Sequence, residues 1–230
     1  MSMTETRKAR SSRVAPTLAG LAALAALGFS ATANAAFIGY VCDASDCSGS
    51  VVQVTDNGAG DNVAELGIIS FTASNIGGVT VTVNTSQSKP LLGTGMDLSF
   101  VVTDASGGGG TVYLFAADTD FTGSATYSGS IGGTSDNGSV NASFCGGDSN
   151  VQFNSAPCET SGALTGTFAS EFGALTTTAN PYSLLLGVQV TLTANGTTTG
   201  DFRVNVPAPA TLALLGLGLV GFARFRRRKV

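Results

Sequence analysis

The sequence of 230 residues contains no histidine and no tryptophan, and only 11% of its residues are charged. Because histidine is the usual general base of hydrolases and a common zinc ligand, its absence excludes the most frequent catalytic triads and metallo-hydrolase sites. An aromatic content of 7% disfavours an aromatic-lined platform for nucleic acid or glycan. The formal net charge of −4 also disfavours nucleic acid, which binds basic surfaces.

Basic side chains are scarce everywhere except at the two ends of the chain. Four of the 11 lie between residues 7 and 13, and five lie between residues 224 and 229. Only Lys89 and Arg203 fall within residues 36–206, where 14 acidic side chains give a net charge of −12. An acidic body between two basic ends indicates that the ends have separate roles.

Residues 1–35 have the three parts of a secretory signal peptide. Basic residues from Arg7 to Arg13 precede the apolar stretch Leu18–Phe29, and the small residues Ala33-Asn34-Ala35 follow it. A retained membrane helix is the alternative, but this apolar stretch is shorter than the about 20 residues that a bilayer requires. We therefore expect cleavage before Ala36 and export of the remaining chain.

The C-terminal residues 207–230 combine two prolines, an apolar run and a basic cluster. Pro207 and Pro209 interrupt regular structure, and residues 211–223 are almost wholly apolar. The chain then closes with the cluster Arg224, Arg226, Arg227 and Arg228. Arginines at the end of a transmembrane helix stay in the cytoplasm, so we expect the body to lie on the far side of the inner membrane. A permanent tail anchor is the alternative.

This order of parts resembles the PEP-CTERM sorting signal of bacterial surface proteins, in which the membrane peptidase exosortase processes a Val-Pro-Glu-Pro segment. Pro207 and Pro209 match the prolines of that segment, and Ala208 stands in place of its glutamate. The resemblance covers residues 206–229. It implies passage through the export machinery, brief anchoring in the inner membrane, and release by an exosortase-like peptidase to the cell surface or the extracellular matrix of a biofilm.

Residues 36–206 predict an all-β domain. Gly, Ser and Thr supply 69 of these 171 residues, a composition that is also typical of disordered stalks. Apolar and polar residues nevertheless alternate in segments such as 79–83, 184–192 and 202–206, as they do in half-buried antiparallel strands. We therefore expect about ten short strands with glycine-rich turns, packed as an antiparallel β-sandwich or a jelly-roll-like pair of sheets.

Asparagine and glycine mark the predicted connections between strands. Asn195-Gly196 lies between two alternating segments and predicts a hairpin. Asp136-Asn137-Gly138 predicts a second turn, and the run Gly107–Gly110 predicts a loose loop.

Four cysteines in an exported body predict two disulfides. Three pairings are possible, and proximity in the sequence favours Cys42–Cys47 and Cys145–Cys158, each of which closes a polar loop. A zinc site is the alternative, but neither gap between cysteines has the tight spacing of paired zinc ligands.

Three acidic clusters are candidates for calcium, which binds six to eight oxygen ligands in loops where glycine lets the backbone wrap the ion. These clusters are Asp43 with Asp46, Asp56 with Asp61, and Asp118 with Asp120. The alternative is that these side chains stabilise turns through local hydrogen bonds. The sequence predicts no other cofactor.

Candidate catalytic groups are few. Lys89 is the one body lysine that a Ser–Lys pair would use, and its position beside Pro90 favours a solvated side chain. The many carboxylates, Glu65, Glu159 and Glu171 among them, show no spacing that selects a pair for glycoside hydrolysis. We therefore expect a non-enzymatic surface or matrix protein associated with exopolysaccharide. The alternatives are a calcium-assisted carbohydrate-binding module and a carboxylate-dependent glycan-processing enzyme.

Overall fold

The computed structural model describes residues 37–205, apart from residues 94, 147–148, 154–156 and 178. The expected signal peptide (residues 1–35) and sorting signal (residues 207–230) lie outside the described residues. Within the described part of the chain, no helix is long and apolar enough to cross a membrane. All regular secondary structure there is β-strand, so the prediction of an all-β body is confirmed.

The described residues form nine strands that pair antiparallel, several of them much longer than expected. The strands are β1 (Ile38–Cys42), β2 (Val51–Thr55), β3 (Ile68–Ile76), β4 (Val79–Gln87), β5 (Met96–Asp104), β6 (Gly110–Phe121), β7 (Ala125–Gly146), β8 (Cys158–Thr177) and β9 (Tyr182–Asn205).

These strands join into a single sheet where a pair of sheets was expected. The strand order is β2-β1-β6-β9-β5-β4-β3, β7 also pairs with β9, and β8 pairs with β7. Strand β9 pairs with β6 along residues 182–192 and with β5 along residues 197–204. Strand β7 pairs with β9 along both of these segments. The sheet therefore has a β5 half and a β6 half. The β5 half contains β3, β4, β5, residues 197–205 of β9, residues 125–136 of β7 and residues 166–177 of β8. The β6 half contains β1, β2, β6, residues 182–192 of β9, residues 138–146 of β7 and residues 158–164 of β8.

The sheet turns its corner where β7 and β9 bend. Asn137 and Asn195 have φ angles of 54° and 58°, and the pairing between the strands skips residues at this point. The hairpin predicted at Asn195-Gly196 and the turn predicted at 136–138 are therefore wrong. Asparagine tolerates the left-handed backbone conformation that hairpin turns require. Here that conformation occurs in a bulge, and each strand continues beyond it. Such bulges carry strands from one packed layer into another.

The Asp104 side chain, at the start of the neighbouring β5–β6 connection, stabilises this corner through hydrogen bonds. Its carboxylate accepts backbone hydrogen bonds of 2.8–3.0 Å from Ser106, Gly107, Gly109 and Asn195. Desolvation raises the pKa of Asp104, but these hydrogen bonds outweigh it and lower the pKa to about 2. The loop predicted at Gly107–Gly110 is thus present as the β5–β6 connection, and hydrogen bonds from Gly107 and Gly109 join it to the Asp104 side chain.

The core lies between the two halves of the sheet. Phe100 and Phe202 from the β5 half and Leu114 and Val188 from the β6 half belong to one buried cluster. A β-carbon on Gly200 would overlap the Phe100 ring, so this position requires glycine because of close packing. Alternate residues of each strand face this core, which leaves the other face of the sheet free to carry a site.

Candidate functional site

A groove of about 400 Å³ lies on the outer face of the β6 half. Two aromatic side chains from neighbouring strands line it, because Tyr40 of β1 is paired directly with Phe115 of β6. Their chain neighbours Val41 and Leu114 are fully buried in the core, so the pleat directs both aromatic rings outward.

Both disulfides border this groove, which we call the aromatic groove. The bonds are Cys42–Cys47 and Cys145–Cys158, and the predicted local pairing is confirmed. The first bond closes the loop that carries Ser45 and Asp46 to the rim of the groove, and the second closes the β7–β8 connection that carries Phe153. Each crosslink therefore restricts a loop that lines the groove.

The Phe153 ring stands perpendicular to the two strand rings. Its centroid is 4.4 Å from that of Tyr40 at an interplanar angle of 89°, and 6.2 Å from that of Phe115 at 81°. Edge-to-face contacts of this kind stabilise a pair by about 0.5–1.5 kcal/mol beyond burial. They hold the loop against the sheet, above a small buried cluster of Ala117, Cys145 and Leu185.

Gly187 lies directly against two side chains that line the groove. A β-carbon at this position of β9 would lie 3.2 Å from the Phe115 ring and 2.9 Å from the Ser143 hydroxyl oxygen. Any larger residue would therefore push the ring or the hydroxyl outward and fill the space between them.

The rim of the aromatic groove carries polar groups of defined protonation. Hydrogen bonds from the Ser48 side chain and backbone hold the pKa of Asp46 below its usual value, so Asp46 is a carboxylate at neutral pH. Burial raises the pKa of Tyr40, so its hydroxyl keeps its proton. The hydroxyl groups of Ser45 and Ser143 complete the set.

The low aromatic content disfavours an aromatic-lined platform for nucleic acid or glycan, and it gave no sign of a groove that three aromatic side chains line. Composition averages over the chain, whereas strand pairing gathers Tyr40 and Phe115 from residues 75 positions apart in the sequence. Nothing in the sequence showed that β1 and β6 pair, and the segment Ile38–Cys42 has no apolar/polar alternation that would mark Tyr40 as outward-facing.

A second cavity of about 480 Å³ lies on the outer face of the β5 half. Asp97, Glu171, Asp201 and Arg203 converge on it from β5, β8 and β9. Desolvation and the adjacent Asp201 carboxylate, which shares a hydrogen bond with it, raise the pKa of Asp97 to about 7, although Arg203 lowers it. Asp97 is therefore about half protonated at pH 7, with its proton in the hydrogen bond shared with Asp201. Sequence spacing did not select this pair, because strand register alone brings β5 to β9.

Replacing Asp97 with asparagine is expected to flatten the pH dependence of stability. The pKa is about 7 in the fold against an ordinary value of 3.8, so ionisation of Asp97 destabilises the wild type progressively between about pH 4 and 7. Asparagine does not ionise, so the variant should gain about 1–2 kcal/mol above pH 7, a value that allows for solvent screening at this partly exposed site. Urea unfolding of both proteins from pH 4 to 8 measures this difference in the free energy of unfolding. Asp136→Asn, which removes an exposed acid of the same half, serves as control, and a curve for Asp97→Asn parallel to wild type would contradict the shared proton.

The acidic residues proposed for calcium mostly have protein partners. Asp56 accepts the Gly67 N–H and Asp61 accepts the N–H groups of Val63 and Ser70, all within the β2–β3 connection or at its end. Among the described residues, no three His, Cys, Asp or Glu side chains gather as a metal-binding group. The local hydrogen bonds are those expected of turn residues.

The third calcium candidate pair is also engaged. Asp120 accepts a hydrogen bond from the Asn150 side-chain amide. Asp118 is 1% exposed and forms an ion pair of 2.8 Å with Lys89. The same carboxylate accepts the Ser88 hydroxyl hydrogen bond at 2.5 Å, and the Lys89 ammonium lies 3.9 Å from the centroid of the Phe121 ring.

Lys89 is therefore not the solvated side chain that we predicted. Ser88 and Lys89 directly follow β4 in one half of the sheet, and Asp118 lies on β6 in the other half. The buried positions Ser86 and Ser88 continue the alternation of β4, which directs the Ser88 hydroxyl to Asp118, and Lys89 reaches the same carboxylate from the turn that follows. This Ser88–Lys89–Asp118 network joins the two halves of the sheet.

The comparisons with known proteins concern the end of the chain. Residues 205–228 match the model of the PEP-CTERM protein-sorting motif, which confirms the resemblance of the prolines and the arginine cluster. No curated protein matches the chain. The motif implies export, transit of the membrane and sorting, and exosortase processes signals of this kind. It begins at Asn205, the last residue of β9, so no further domain separates the body from its sorting motif.

Proposed function

We propose that this protein is a non-enzymatic component of the bacterial cell surface or extracellular matrix, associated with exopolysaccharide. The observation that carries the proposal is the sorting motif at residues 205–228, which directly follows the last strand of a disulfide-linked all-β body. Disulfides are typical of proteins that work outside the cytoplasm, and a body charge of −12 favours solubility there.

The outer face of the β5 half supports contact with a hydrated polymer. Threonines from five strands lie in register across this face, in the row Thr72, Thr82, Thr199, Thr134 and Thr167, with Val101 between the second and third. Neighbouring hydroxyl oxygens in the row are 3.4 Å apart for the first pair and 2.9 Å apart for Thr134 and Thr199. Apart from Val101, this row offers hydroxyl donors and acceptors on neighbouring strands.

The precursor would reach this destination in two steps. The signal peptide is removed before Ala36 during export, and the apolar run of residues 211–223 holds the body at the inner membrane. Residues 206–210 span at most about 18 Å when fully extended, so the end of β9 stays close to the membrane until an exosortase-like peptidase acts near Pro207 and Pro209. The arginine cluster remains with the detached tail.

Sequential extraction of the host cells tests the matrix association. Cells are washed in salt, then treated with polysaccharide-degrading enzymes, and finally dissolved in detergent, with an outer-membrane protein followed as a control for lysis. The proposal predicts release in the second step, when the polymer is cut. Release by detergent alone, together with the outer-membrane control, would contradict it.

A further inference from the structure

We propose that the aromatic groove binds a neutral polysaccharide chain built of pyranose units. The inference rests on the proposed function, because it names the chemistry by which the exported body contacts extracellular polymer. It concerns the β6 half alone and uses neither the sorting motif nor the threonine row.

The rings supply the apolar part of such a site. A pyranose ring has faces lined by C–H groups, which pack against aromatic rings, and a periphery of hydroxyl groups that require hydrogen bonds. Tyr40 and Phe115 lie side by side on adjacent strands, and Phe153 stands perpendicular to both. A chain that lies along the sheet therefore meets two outward-facing rings and is bounded by the third.

The rim supplies the polar part. The Asp46 carboxylate accepts hydrogen bonds, and the Tyr40 hydroxyl keeps its proton and donates one. The Ser45 hydroxyl can do both, whereas the Ser143 hydroxyl donates to the Gly187 carbonyl oxygen and can accept. A few such groups around an apolar floor orient a ligand within a pocket of this volume. This combination suits a ligand with apolar faces and a hydroxylated edge, and it suits a purely apolar ligand poorly.

Charge selects a neutral polymer over an acidic one. The body has two cationic side chains, and both are committed elsewhere: Lys89 to Asp118, and Arg203 to the cavity of the β5 half. The Asp46 carboxylate at the rim and the body charge of −12 repel polymers that carry uronate, sulfate or phosphate groups. The same charge disfavours a second copy of this chain as the occupant.

Affinity electrophoresis in native gels tests the proposal. The exported protein is taken from whichever cell fraction contains it, so the result does not depend on sorting. The gels contain hydroxyethyl cellulose, galactomannan or dextran as neutral probes, and alginate as the anionic probe. We expect retardation by at least one neutral polymer and none by alginate.

Two variants connect the retardation to the groove. Phe153→Ala removes the standing ring and is expected to weaken binding at least about tenfold, as truncation of a central aromatic contact does. Asp46→Asn changes no packing and is expected to weaken binding about tenfold through loss of a charged hydrogen-bond acceptor. Tyr113→Ala is the matched control, since this ring lies on the same face of β6 two residues before Phe115 and does not line the groove.

Results of the gels and of sedimentation can overturn the groove assignment. A neutral-glycan groove would be excluded if no neutral polymer retarded the protein, or if alginate retarded it more strongly. It would also be excluded if Phe153→Ala and Asp46→Asn were retarded as much as wild type. Loss of self-association in Phe153→Ala, seen by sedimentation, would identify the groove as a contact between copies instead. A protein that binds neutral glycan but stays in the inner membrane would contradict the proposed function and leave the groove assignment standing.

Discussion

Replacing Asp118 with asparagine is expected to lower the free energy of unfolding by about 3 kcal/mol. The carboxylate is 2% exposed and accepts hydrogen bonds from the Ser88 hydroxyl and the Lys89 ammonium. Asparagine has nearly the same shape but no charge, and its amide group presents N–H donors where acceptors are needed. The estimate lies at the lower end for a broken buried ion pair, because the Lys89 side chain is 24% exposed and regains some hydration.

This loss is large because the network joins the two halves of the sheet. Domains of this size are stable by about 5–15 kcal/mol, so the variant should show a clearly lower midpoint in urea unfolding. Asp120→Asn is the control, since it removes an acid two residues away on the same strand, and asparagine tolerates the φ angle of 60° found there. A change below about 0.5 kcal/mol in Asp118→Asn, similar to a surface substitution, would show that the network does not stabilise the fold.

Replacing Arg224, Arg226, Arg227 and Arg228 together with glutamine is expected to reduce the surface and released forms more than about tenfold. Each basic residue near the cytoplasmic leaflet contributes about 1 kcal/mol of attraction, so the variant loses about 4 kcal/mol of the interaction that orients the apolar run. The same change removes the basic part of the matched motif. Full-length precursor should therefore accumulate or be degraded.

Immunoblots of cell fractions measure this change. Arg203→Gln is the matched control, because it removes an arginine from the end of β9, two residues before the motif begins. It should leave the distribution among fractions unchanged. A glutamine variant that reaches the surface as efficiently as wild type would show that the basic cluster is not needed for sorting.

The C-terminal sorting motif and the disulfides were predictable because their signals are local. The sorting motif occupies one short segment of sequence, and each disulfide joins cysteines that are near neighbours in the chain. The outward or inward direction of side chains in residues 79–83, 184–192 and 202–206 followed from alternation alone. Such features depend on few residues and need no knowledge of which strands pair.

Features that depend on long-range pairing were missed. Asn195-Gly196 has the sequence that is typical of a hairpin turn. What distinguishes the observed bulge from a turn is that β9 pairs with β7 on both sides of Asn195. Lys89 looked solvated because Asp118, its partner, lies 29 residues away on a strand of the opposite half. Tyr40 and Phe115, and likewise Asp97 and Asp201, become neighbours through register that the sequence does not encode in its spacing.

The intact mass of the protein recovered from each fraction of its host tests the central claim most directly. The account predicts a surface or released species that begins near Ala36, ends near Pro207 and lacks Arg224 to Lys229, with any attached sugar as added mass. It would be contradicted if all of the protein remained in the membrane with the arginine cluster attached, because the chain would then be a permanently anchored domain.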